Sequence, residues 1–62
     1  DAKNQLDFAY QHLGKCFIEM GRYYEAQAVL TLALTLRKQK ANQALIDSTI
    51  KALTLNNMYI EN

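Results

Sequence analysis

The sequence predicts an all-α fold, an antiparallel helix hairpin followed by a third packed helix. Three observations predict it. Apolar residues recur mainly at steps of three and four. Proline is absent and glycine occurs only as Gly14 and Gly21, so the many turns of an all-β chain have nothing to build them. Half of the 62 residues are apolar, the ordinary share for a folded domain and too high for a disordered segment.

The first helix is expected over residues 2–20. Leu6, Ala9, Tyr10, Leu13, Phe17 and Met20 form one stripe, with Gln5, Lys15 and Glu19 largely off it. Gly21 follows at once, where a left-handed closing residue favours glycine for its missing Cβ.

The second helix, over 24–39, carries the one ambiguous pattern. Leu30, Leu32, Leu34 and Leu36 fall on alternate residues, as in a strand with one wet face. A strand from Ala26 to Leu36 would be unusually long and would hold three alanines, which strands disfavour. Leucine and alanine are strong helix formers, and Glu25 at the start with Arg37, Lys38 and Lys40 at the end suits the helix dipole. On that helix Ala26, Val29, Leu30, Ala33 and Leu36–Arg37 share a face. Leu32 and Leu34 flank it, and Gln27, Thr31, Thr35 and Lys38 make the wet side. So wide an apolar surface is expected to be covered from more than one direction.

The third helix follows the polar run KQKAN, with Asn42 as its N-cap. Leu45, Ile46, Thr49, Ile50, Ala52, Leu53 and Ile60 recur at helical spacing, and the pattern weakens at Asn56-Asn57.

The totals limit what such a chain does. Residues 1–62 make one small domain, and below roughly 70–80 residues a core rarely supplies more than about 3–5 kcal/mol unaided. One cysteine, Cys16, allows no internal disulfide, and one histidine, His12, leaves too few ligands for a Cys/His zinc site. A net charge of +1 gives no reason to expect nucleic acid or an anionic membrane as partner. No apolar run approaches the roughly 20 residues of a membrane span. The opening DAKNQ, without methionine, suggests a piece of something longer, and the unpaired cysteine points to a reducing, cytoplasmic setting.

Across the first two helices Leu13-Gly14, Phe17, Gly21, Tyr23, Ala26, Leu30, Ala33-Leu34 and Leu36 stand in an order that resembles the tetratricopeptide repeat, a helix–turn–helix unit of roughly 34 residues. The likeness spans residues 7–40, lacks the usual proline after the second helix, and implies an α-solenoid segment. Gly14 and Ala26 are small where the helices cross, and Ala33 is small where the following helix leans in. Phe17 and Leu30 fill the gap, and Tyr10 stands where tryptophan is common. Residues 41–62 then either begin the next repeat or form a cap, with a cap-like helix favoured. Aligning Leu53 with Leu13 gives an offset of 40 residues, similar to the longer repeats of kinesin light chains, cell-polarity adaptors and bacterial peptide-sensing regulators. In that alignment Thr54 replaces the glycine and Asn57 the aromatic.

The resemblance implies a concave groove lined from the first helix by Phe8, Gln11, His12, Lys15, Ile18 and Glu19. The signature that grips a peptide's terminal carboxylate wants a basic residue and an asparagine where this chain has Gln11 and Lys15, so chaperone-tail binding is not expected. His12, Lys15 and Glu19 share a face but lack a nucleophile and oxyanion donors, and no enzyme is expected. Cys16, read as having no histidine base on its own side of the helix, is expected to be small core filler. Tyr23 is expected to pack, and Arg37, Lys38 and Lys40 to be solvated dipole partners.

The expectation is therefore an interaction module that holds a peptide or protein partner, without cofactor or catalysis. The alternative is a self-assembling segment whose uncovered apolar helix faces meet another copy.

Overall fold

A computed structural model describes residues 5–61, and within them the chain is all-α, three packed helices with no strand. They are α1 (Leu6–Glu19), α2 (Tyr23–Lys40) and α3 (Gln43–Glu61). The part of the first helix expected over residues 2–4 lies outside the described residues.

The junctions follow local chemistry. Gly21 closes α1 with φ of +76°, the left-handed conformation expected of it. After α2 the same role falls to Ala41, at φ of +55°, whose Cβ makes that conformation costly. Asn42 then caps α3, its Oδ1 accepting from the Leu45 amide at 3.3 Å. Contrary to the weakening read at Asn56-Asn57, α3 runs unbroken to Glu61.

The α1–α2 crossing is close because Gly14 lacks a side chain. A Cβ there would stand 2.6 Å from both Cγ and Cδ2 of Leu30. Ala26, Leu30 and Ala33 are fully buried beside it, and Leu30 alone contributes about 1.5–3 kcal/mol.

α3 lies along the other flank of α2, antiparallel to it, and touches α1 far less. The Cα envelope measures 37 × 20 × 13 Å, about two helix layers deep. With three helices in two layers, each helix keeps an open side. That overturns two expectations. The apolar stripe of α1 is not its buried face: Asp7, Gln11 and Gly14 are buried, while Leu6, Leu13 and Met20 are exposed. On α2, Leu34 is half covered but Leu32 stays 49% exposed, because no third layer reaches it.

The positions of α3 can be set beside those of α1 at an offset of 42 residues. The buried pair Asp7 and Gly14 recurs as Thr49 and Asn56, and both Asp7 and Thr49 bond to Arg37. At the same offset Leu13, Ile18 and Glu19 match Leu55, Ile60 and Glu61, and Phe17 matches Tyr59. At that offset Asn56 stands opposite Gly14. Its Nδ2 donates to the Tyr23 carbonyl at 2.8 Å across the α2–α3 seam.

Candidate functional site

Two polar features organise the surface: a buried clasp joining the three helices, and an open groove beside it. Arg37 sits in the clasp because it continues the buried row Ala26, Leu30, Ala33 by one more helical step. Only 2% exposed, it is not the solvated dipole partner expected of it. Its Nε donates to Asp7 Oδ2 at 2.9 Å, and its Nη1 to Thr49 Oγ1 at 2.9 Å and to the Leu45 carbonyl at 3.1 Å. Lys40 adds a second cation, with Nζ on Asp7 Oδ1 at 2.5 Å. Both cations lie 5.1 Å from the centroid of the Phe8 ring, which shields the pair on one side. Burial pushes the Asp7 pKa up. The hydrogen bonds and charges of Lys40 and Arg37 outweigh it and hold the carboxyl below its ordinary range.

Gln11 completes the clasp, with Oε1 3.0 Å from the Thr49 hydroxyl. Its Nε2 is buried without a hydrogen-bond partner. The Thr49 hydroxyl also has the Leu45 carbonyl at 3.1 Å, and its single proton serves one acceptor at a time.

The groove, about 550 Å³, lies between α1 and α3 on the side away from α2. Lys15, Ile18 and Glu19 form one wall, and Asp47, Ser48, Lys51 and Leu55 lie on the other. Ile18, Ala44, Ala52 and Leu55 give it an apolar floor. Lys15, Glu19 and Lys51 make no hydrogen bond or ion pair with any described residue, while Asp47 accepts from Gln43 at 2.8 Å. A concave apolar surface with uncommitted charges at its rim is the usual make-up of a ligand site of this size.

The six positions expected to face a groove divide in two. Lys15, Ile18 and Glu19 line it. Phe8 is taken up by the two cations, Gln11 is buried, and His12 is exposed one turn from Cys16. The α3 wall was missing from that set. One further reading is corrected. Cys16 does have a histidine on its own side, His12 Nε2 standing 3.7 Å from its Sγ at i, i+4 spacing.

At the far end of the slab Tyr23 stacks on Tyr59, ring centroids 5.0 Å apart and planes within 9°. Tyr24, its neighbour, is exposed. Among the described residues no group of three or more His, Cys, Asp or Glu is placed to hold a metal ion, and no helix is long and apolar enough to cross a membrane.

Compared with protein-family models, with curated proteins and with solved structures, the chain matches none.

Proposed function

We propose that this chain is a segment of a helical-repeat scaffold of the tetratricopeptide kind, and that it holds a peptide or protein partner in the groove between α1 and α3. On this reading it is not an enzyme, needs no cofactor, and works in the cytoplasm.

The observation that carries the reading is the groove itself. Its floor is apolar, its rims hold Lys15, Glu19 and Lys51, unpaired among the described residues, and it is bounded by two helices whose positions can be aligned at an offset of 42 residues. Translating one helix pair along an axis is how solenoids build extended binding surfaces. Apolar contact would supply most of the affinity, and the rim charges would select among partners.

The test is selection of peptides from a randomised displayed library on the folded 62-residue chain, followed by titration calorimetry. Selected peptides should lose at least tenfold in affinity on Lys51→Glu and on Leu55→Asp, both exposed positions. Selection that yields no binder, or binders indifferent to both substitutions, would overturn the proposal.

A further inference from the structure

Three residues of the α3 wall, Ala44, Ser48 and Ala52, follow one another one helical turn apart, and all three line the groove. Each is small, so a rod lying along this row can bring its own backbone close to α3. From Ala44 to Leu55 the wall runs for about 16 Å, the length of roughly three helical turns.

The charges beside the row stand in a set order. Gln11 of α1 meets Thr49 of α3 at 3.0 Å, and both helices run antiparallel to α2, hence in the same direction. Counted from that contact at about 1.5 Å per residue, Lys51 lies about 3 Å along the groove, Lys15 about 6 Å and Glu19 about 12 Å, with Asp47 about 3 Å behind it. The order is acid, base, base, acid, and each wall supplies one acid and one base a turn apart. Both sets have the i, i+4 spacing of an ion pair within a helix. Among the described residues, however, Lys15 does not pair with Glu19, nor Lys51 with Asp47. The four charges thus face the groove instead of neutralising one another.

The groove has no sheet edge. Its walls are helices, whose amides and carbonyls are bonded along each helix, so an extended segment finds no backbone ladder to join. A helix brings its backbone hydrogen bonds with it.

Resting on the groove reading above, we infer that the occupant is an amphipathic helix. Its apolar stripe lies on Ile18, Leu55 and the row of small residues. One flank sets a cation toward Asp47 and an anion toward Lys51, and the other sets an anion toward Lys15 and a cation toward Glu19.

Two synthetic 14-residue peptides of one composition test it, each with leucines along one side and Glu and Lys four residues apart on both flanks. One has the charge order that complements the walls, and the other has it reversed. Titrated by fluorescence anisotropy against the folded 62-residue chain, the first should bind at least tenfold more tightly and gain helicity by circular dichroism. The same peptide with a central proline, which breaks the helix, should lose at least tenfold. Ser48→Leu, at an exposed position, fills the row and should weaken the first peptide at least tenfold. Should that chain fail to fold, Ala44→Leu, also exposed and on the same row, should do likewise. Lys51→Glu should reject the first peptide and accept one in which the facing Glu is replaced by Lys. Failure of both peptides to bind, equal binding of the two charge orders or of the proline version, or indifference to Ser48→Leu and Ala44→Leu would overturn this inference. The groove reading itself falls only if the randomised library also yields no groove binder.

Discussion

Asp7 and Arg37, from different helices, meet in a 2.9 Å salt bridge with 0% and 2% of their side chains exposed. Removing one partner of such a pair leaves the other charged and dry, typically a loss of about 3–5 kcal/mol. Asp7→Asn should cost that order of stability at neutral pH, measured by urea unfolding. In so small a domain the loss takes most of the margin. A change under about 1 kcal/mol would mean that water reaches Arg37 when the carboxylate is gone.

The same pair sets an acid dependence. The folded pKa of Asp7 lies below its unfolded value, so its contribution is complete above about pH 4 and is lost as pH falls through the folded pKa. Stability should therefore drop with acidification below about pH 4. The decline should be flatter in Asp7→Asn than in the parent chain, read from unfolding midpoints across that range.

At the α1–α2 crossing the sensitive atom is one that is missing. Gly14→Ala places a methyl 2.6 Å from Leu30, and overpacking of this kind costs about 1–3 kcal/mol. Leu30→Ala alone should cost about 2–5 kcal/mol. Together the two should cost clearly less than the sum, because the smaller residue makes room for the new methyl. Additive losses in a double-mutant cycle would place the two residues out of contact.

Ala41 offers a gain. Its φ of +55° suits glycine, so Ala41→Gly should raise stability by about 0.5–1 kcal/mol, read as a higher melting temperature.

Leu34 and Leu32 separate covered from open surface. Leu34→Lys brings a charge onto a half-buried flank and should cost about 1–3 kcal/mol. Leu32→Lys, at a site 49% exposed, should stay within about 0.5 kcal/mol. Equal costs at the two sites would show that a neighbouring molecule covers Leu32.

Much of the fold was legible because local rules agreed with one another. Gly21, Asn42 and the dipole-matched charges of α2 marked the helix ends, and Gly14 marked the crossing. The buried side of α1 was not legible. Hydrophobic periodicity pointed to Leu6, Leu13 and Met20, yet the chain buries Asp7 and Gln11, whose value depends on partners at Arg37 and Thr49 that no periodicity reveals. A signal was present in Arg37, a cation standing in line with Ala26, Leu30 and Ala33. Half of the groove was readable from α1 alone. The other half lies on α3, held in place by Asn56 reaching the Tyr23 carbonyl and by Thr49 and the Leu45 carbonyl accepting from Arg37, contacts that no periodicity reveals.

The stacked rings of Tyr23 and Tyr59 give this protein an optical handle. It has no tryptophan and four tyrosines, and two of those, at the start of α2 and near the end of α3, stack with their ring planes nearly parallel. Near-ultraviolet exciton coupling between them would vanish when α3 lifts from α2 and survive when only α1 frays. The detachment of that helix can thus be followed without any added label.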